Sequence, residues 1–190
     1  MEELELWISA GTWTAFFGYW WLVGRKQSSN ERTEERASRL LRTSLMLVAF
    51  WLIVAQPEIF PDAATSMLPD GIYRFLLEMA LTLSGMGLSI WARVHLGRNW
   101  SQAVTLKKDH QLIQSGPYRW LRHPIYTGLL LAIAGCVAKE ANLTAVLAWM
   151  LVAVALVKKL CLEEKWLAGE FNQNWQEYVK KSYRLLPFLY

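Results

Sequence analysis

Arg122, His123 and Tyr126 stand close together in one short stretch, and Glu163 and Glu164 stand side by side after the next two apolar runs. A guanidinium, an imidazole, a phenol and paired carboxylates are the groups with which a protein grips a small charged molecule or relays a proton. The first three lie within Gly116-Pro117-Tyr118-Arg119-Trp120-Leu121-Arg122-His123-Pro124-Ile125-Tyr126-Thr127-Gly128, which leads straight into an apolar run. Pro124 falls where a helix tolerates proline, in the first turn. A helix start carries unpaired N–H groups and partial positive charge, so Arg122 and His123 beside one form a candidate site for a carboxylate or phosphate. The competing reading is an interfacial anchor, because Arg and Tyr commonly reach from apolar segments to the membrane boundary. Lys158, Lys159, Glu163 and Glu164 follow directly on another apolar run, where uncompensated acids are costly. A tight turn between two helices returns these acids to the face that holds Arg122, His123 and Tyr126, making one polar site from two distant segments. Lys159 and Glu163 also share a helix face, which by itself is a surface pair worth only roughly a few tenths of a kcal/mol.

The elements that must position these groups read as membrane helices. The chain of 190 residues is 54% hydrophobic and holds 11 tryptophans, far more apolar and aromatic than a soluble domain of this size. A hydrocarbon core of about 30 Å needs roughly 20 mostly apolar residues, which leaves room for about five crossings and no separate soluble domain. The expected fold class is therefore all-α: a polytopic membrane protein with about five transmembrane helices, a C-terminal helical hairpin and a cytoplasmic cofactor pocket. Residues 1–190 form a single integral membrane domain, with three helices over 1–96 and the loop, hairpin and tail over 97–190. The apolar runs are Leu4–Gly24, about Leu40–Phe60, Ile72–Leu96, Ile125–Ala138 and Leu143–Leu162. Gly85 and Gly87 in the third are expected to let helices approach closely. The fourth is short: 17 residues counted from Arg122 rise about 25 Å, so it spans only with its polar start at headgroup level, or else is re-entrant. Met1–Glu5 is acidic, and Trp20 and Trp21 stand where a cleaved signal would carry small residues, so the first run is expected to be retained.

Charge sets the expected partners and orientation. The net charge of +4 lies in blocks between apolar runs, which favours membrane lipids over nucleic acid. Arg25–Arg42, with six basic and three acidic residues, is expected to be a solvated and partly helical linker. That stretch, the Gly97–Arg122 loop and the tail are basic, whereas the amino end and the proline-rich connector are acidic. The positive-inside rule then puts the amino terminus outside and the carboxyl terminus and polar site in the cytoplasm, with Lys139 as the exception. Cys136 and Cys161 sit inside apolar runs and read as core residues, without disulfide framework or metal-ligand spacing, so no metal site is expected.

Three linked blocks carry a resemblance. Asp109-His110-Gln111-Leu112-Ile113 precedes the Gly-Pro-Tyr. Arg122-His123-Pro124-Ile125-Tyr126-Thr127-Gly128 follows it. Glu163-Glu164 then leads to Leu167, Phe171, Trp175, Tyr178 and a closing Leu186-Pro187-Phe188. In order and spacing they resemble the isoprenylcysteine carboxyl methyltransferases and their relatives among phospholipid methyltransferases, over roughly Leu96 to the end. The resemblance implies S-adenosylmethionine as cofactor, held by His110, Gln111, Leu112, Ile113, Tyr118, His123, Pro124, Ile125, Tyr126 and Glu163. It implies a lipophilic or prenylated acceptor, such as an isoprenylcysteine carboxylate or related lipid. Lys159 stands where members often have arginine and Asn172 where they often have glycine. Lysine does not reproduce the planar arginine fork, so Lys159 and Arg184 are both candidates for substrate binding, beside Arg122.

Methyl transfer from a sulfonium depends mainly on alignment in a dry pocket. A carboxylate acceptor, ionised above a pKa of about 4, needs only a cation to orient it, which is the role expected of Arg122. An amine or thiol must lose a proton, a task suited to Glu163 or Glu164. Arg122, Glu163 and Glu164 are thus the catalytic candidates. The competing functions are a membrane NADPH reductase of the sterol reductase type and a noncatalytic membrane scaffold. A transporter is disfavoured because these charges sit at helix ends rather than near the bilayer centre.

Overall fold

Long apolar runs without interior proline favour helices, which satisfy every backbone group internally. The computed structural model describes residues 2–24, 30–33, 35–59, 62, 65–69, 71–97, 100, 105–107 and 112–187. Among these it forms helices α1 (Glu2–Gly24), α2 (Arg36–Ile59), α3 (Ile72–Leu96), α4 (Pro124–Glu140) and α5 (Leu143–Lys181). Two helices, Ile72–Leu96 and Leu143–Lys181, are long and apolar enough to cross a membrane. The 17 residues of α4 rise about 25 Å, short of a hydrocarbon core of about 30 Å. Leu6, Trp7 and Trp21 on α1 and Leu47, Phe50 and Trp51 on α2 are exposed, a belt that is stable in hydrocarbon and not in water.

The fold departs from a purely helical one in a short ribbon. Strands β1 (Asn30–Thr33) and β2 (Thr105–Lys107) pair antiparallel, Thr33 opposite Thr105, with an irregularity between Asn30 and Arg32. The basic stretch expected to be a solvated linker thus contributes a strand before α2 begins. A parallel bridge, Leu121 to Tyr183, joins the segment before α4 to the tail. The three basic segments therefore meet at one end of the bundle. At the other end the Met67 amide donates to the Ala141 carbonyl at 2.7 Å, tying the α2–α3 connector to the α4–α5 turn.

Helices α3 and α4 form the most extensive contact in the bundle, and small residues explain why. A β-carbon on Gly85 would run into the backbone of Gly128 and Ala132, and one on Gly128 would meet Gly85 and Ser89. Gly135 is likewise blocked by Thr82 and the Glu78 carbonyl. The close approach lets the Thr82 hydroxyl donate to the Ala132 carbonyl at 3.1 Å and that of Ser89 to the Ile125 carbonyl at 3.2 Å. Gly87, expected to share this role, faces open space instead.

The hairpin is tighter than the apolar runs suggest. Helix α4 continues through Glu140, Ala141 takes a left-handed conformation (φ 47°), and Asn142 caps α5 by accepting from the Ala145 amide at 2.8 Å. Lys139, the exception to the charge rule, is an internal partner: its ammonium lies 3.3 Å from the carboxylate of Glu78, which is 2% exposed.

The α3–α4 contact gives a paired test. Gly85→Leu is expected to abolish the native melt in detergent, because overpacking at a backbone contact costs on the order of 1–3 kcal/mol or more. Gly87→Leu should melt within a few tenths of a kcal/mol of the wild type; equal sensitivity at both positions would refute this packing.

Candidate active site

The polar site is assembled from the segment before α4, the first turn of α4, the part of α5 beyond its apolar stretch, and the tail. Gly116 (φ 57°) opens a 3₁₀ turn, Gly116–Arg119, and a β-carbon there would strike the His95 imidazole. That contact seats the turn on α3 and buries Tyr118, whose carbonyl accepts from the Tyr178 hydroxyl at 2.7 Å. The tail then lies along the start of α4. The Arg122 amide donates to the Tyr183 carbonyl at 2.7 Å, the Tyr183 amide to the Trp120 carbonyl at 2.8 Å, and the Thr127 hydroxyl to the Leu185 carbonyl at 2.7 Å.

Glu164 is the centre of the cluster. One of its oxygens accepts from Arg122 Nε at 2.8 Å and lies 3.3 Å from His123 Nε2; the other accepts from Arg184 Nε at 2.8 Å. The Arg122 fork also donates to the Ser182 carbonyl. His123, 6% exposed, turns its Nδ1 toward Glu163 at 3.6 Å. Both ring nitrogens face carboxylates, which is the arrangement that suits an imidazolium. Glu163 accepts from the Tyr126 hydroxyl, Tyr126 stacks on His123 with ring centroids 5.5 Å apart, and the Lys159 ammonium lies 5.2 Å from the Tyr126 ring centroid.

The electrostatics of His123, Glu163 and Glu164, which lie outside the apolar runs Ile125–Ala138 and Leu143–Leu162, follow from these contacts. Burial alone would raise the Glu164 carboxyl, but hydrogen bonds from His123, Arg184 and Arg122 outweigh it and hold the group at about 2. Burial would lower His123, but its bonds to Glu163 and Glu164 outweigh that and hold the imidazole above its ordinary range. Glu163 is held below the usual carboxylate range, with burial opposed by His123, Lys159 and Tyr126.

The residues singled out from the sequence mostly converge. Tyr118, His123, Pro124, Ile125, Tyr126, Glu163 and Glu164 come together, and Ile113 packs on the same core. Leu112 is half-buried, while His110 and Gln111 lie outside the described residues. Two features go beyond the sequence reading. At the helix start the amides of Tyr126 and Thr127 bond to the His123 carbonyl, and that of His123 to the Arg184 carbonyl. Arg122 and Arg184, expected as candidates to hold the acceptor, are bound to Glu164. Tyr178 stood in the quoted blocks without a role, and its bond to Tyr118 supplies one. Ser182 and Tyr183 carried no signal, because they act through backbone carbonyls.

The family model for isoprenylcysteine carboxyl methyltransferases (ICMT) matches residues 76–169, which include most of α3, all of α4 and both acids. The chain belongs to the ICMT family. A probable protein-S-isoprenylcysteine O-methyltransferase of Oryza sativa subsp. indica is 22% identical over 190 residues, covering 97% of this chain and 97% of that relative. The protein-S-isoprenylcysteine O-methyltransferase of Schizosaccharomyces pombe is 30% identical over 108 residues, 55% of this chain and 46% of its own length. Among solved structures, the eukaryotic intramembrane Ras methyltransferase ICMT shares the fold with a TM-score of 0.58 at 20% identity. That likeness covers 95% of this chain but 63% of the solved one. In this ICMT member the kink of α5 at Asn172 (φ 44°, ψ −112°) falls where relatives often carry glycine, the residue suited to that conformation.

Stability should track the cluster's protonation. Glu164, with its carboxyl depressed, contributes fully above about pH 4.5 and loses that contribution as pH falls toward about 2. His123, with its imidazole raised, contributes fully below about pH 6.5 and loses it as pH rises through the raised value. Glu164→Gln is expected to cost on the order of 3 kcal/mol near pH 6, by stranding buried cations, with the deficit shrinking toward pH 2. Thermal melts from pH 2 to 9 read this, and a pH-independent deficit would contradict the assignment.

Proposed function

We propose that this chain is an S-adenosylmethionine-dependent membrane methyltransferase acting on the carboxylate of a lipophilic, prenylcysteine-type acceptor. Residues 1–190 act as one integral membrane domain of five spans, with the amino terminus outside and the site and tail in the cytoplasm. The meeting of all three basic segments at one end of the bundle supports that orientation.

The observation that carries the reading is the unequal use of the two acids, in a chain of the ICMT family. Glu164 is taken up by Arg122, Arg184 and His123, whereas Glu163 keeps 23% of its side chain exposed beside Tyr126. Glu163 is therefore the acid that fits the cofactor's ammonium. Tyr118, Ile113, Ile125 and Tyr126 supply apolar and aromatic walls that suit adenine, with Leu112, His110 and Gln111 assigned to the same pocket by resemblance. When bound, S-adenosylmethionine would supply an electrophilic methyl group for the acceptor oxygen, the electron pair of the broken carbon–sulfur bond staying on sulfur. The acceptor carboxylate is already ionised at neutral pH, so neither acid is needed as a base. Arg122 and Arg184 act through Glu164 as positioning residues. Lys159, beside Tyr126 and Glu163, borders the pocket on the acceptor side.

Calorimetric titration of the detergent-purified protein with S-adenosylhomocysteine, run beside NADPH, tests the reading. Saturable binding of the homocysteine compound, weakened at least tenfold by both His123→Ala and Glu163→Ala, is the expected result. Binding of NADPH alone would replace it with a reductase, and binding of neither with a scaffold.

A further inference from the structure

Tyr118 forms one wall of the proposed cofactor pocket, yet the turn that carries it, Gly116–Arg119, is only four residues long. A single 3₁₀ turn has poor hydrogen-bond geometry and leaves carbonyls unmet, so its place depends on what touches it. On one side Gly116 rests against the His95 imidazole. On the other, the Tyr178 hydroxyl donates to the Tyr118 carbonyl at 2.7 Å and reaches the Leu121 carbonyl at 3.4 Å. One phenol thus meets two carbonyls, the second of them directly before Arg122 and His123. Tyr178 is 4% exposed, and its ring stands edge-on to that of Trp175 with centroids 5.8 Å apart.

A straight helix would carry Tyr178 about 21 Å along the axis from Glu164, far beyond the reach of one side chain. Yet Arg122, whose Nε bonds Glu164 at 2.8 Å, also donates to the Val179 carbonyl at 3.4 Å. The end of α5 is therefore folded back at Asn172 (φ 44°, ψ −112°), and this fold delivers the phenol to the Gly116 turn. Fastening the tail does not require that phenol. The Arg184–Glu164 pair and the backbone bonds of Tyr183 to Trp120 and Arg122 already hold it. What Tyr178 adds is a fixed place for the Tyr118 carbonyl, and with it for the Tyr118 ring, which lies within electrostatic reach of Glu163. We propose that Tyr178 is a positioning residue for the cofactor: its hydroxyl locks the Gly116 turn so that Tyr118 stands ready opposite Glu163, and thereby sets the affinity for S-adenosylmethionine. The proposal rests on the methyltransferase reading and adds a residue that acts through Tyr118.

The test is calorimetric titration of the full chain in phospholipid nanodiscs with S-adenosylhomocysteine, with a thermal melt on each preparation. Tyr178→Phe keeps the ring against Trp175 and removes only the donor, and it should weaken binding at least fivefold. Tyr178→4-aminophenylalanine, which returns an N–H donor at the same place, should restore the affinity to within twofold of wild type. Thr82→Val removes a buried hydroxyl-to-carbonyl bond of the same kind from the α3–α4 contact, and it should leave the affinity within twofold whatever its melt. Wild-type affinity in Tyr178→Phe would overturn the positioning role and leave the methyltransferase reading standing. An equal loss in Thr82→Val, or a loss in Tyr178→Phe that the amine does not restore, would overturn it too, because either marks a general loosening. Wild-type protein that binds no S-adenosylhomocysteine would remove both.

Discussion

One carboxylate holds the functional end of this molecule together. Glu164 receives Arg122 from the segment before α4, His123 from the cap of α4 and Arg184 from the tail, so three pieces of chain converge on one side chain of α5. In a partly buried setting such a group is costly unless fully compensated, and here its oxygens accept on both sides. The tail is thereby held against the start of α4, where the Tyr183 and Arg184 carbonyls occupy the amides of Arg122 and His123. Glu163, one residue earlier, is left turned toward Tyr126 and His123 with part of its side chain accessible. The adjacent acids differ in their surroundings: Glu164 joins three segments, while Glu163 stays partly exposed beside Tyr126 and His123.

That arrangement depends on how the helices deliver their ends. The glycine contact between α3 and α4 brings the start of α4 beside the end of α3, so the Gly116 turn rests on His95 and Tyr118 is buried. The two-residue turn at Ala141 and Asn142 sends α5 back so that Glu163 and Glu164 arrive level with His123. The kink at Asn172 lets the end of α5 pack inward, where the Tyr178 hydroxyl reaches the Tyr118 carbonyl. Small residues and a capped turn therefore fix the site at one remove, through backbone position.

Much of this was legible from residue types alone. Acids placed directly after an apolar run, with a complementary cluster before the preceding run, announce a shared site once a hairpin is inferred. The small-residue contact was only half legible: Gly85 and Gly87 stand two apart and face different directions, and composition does not say which direction is the neighbour. Lys139 looked like an exception to the charge rule because its partner Glu78 is distant in sequence. The occupation of the α4 start was hidden for a different reason. Its acceptors are main-chain carbonyls of the tail, and any residue type supplies a carbonyl. Strand β1, built from Asn-Glu-Arg-Thr, has no apolar alternation to mark it. The ion cluster followed a similar pattern: its members were identified, but the capture of Arg122 and Arg184 by one acid depends on geometry.

The central claim is that Glu164 fastens the tail to the start of α4. Site-resolved hydrogen exchange on wild type and Glu164→Gln in the same detergent measures this at the amides of Arg122 and Tyr183, which bridge the two segments. These amides are expected to exchange at least tenfold faster in the variant while those of Gly128 and Ala132 in α4 stay protected. Unchanged protection at Arg122 and Tyr183 would contradict it, because the tail would then be held by its backbone contacts alone.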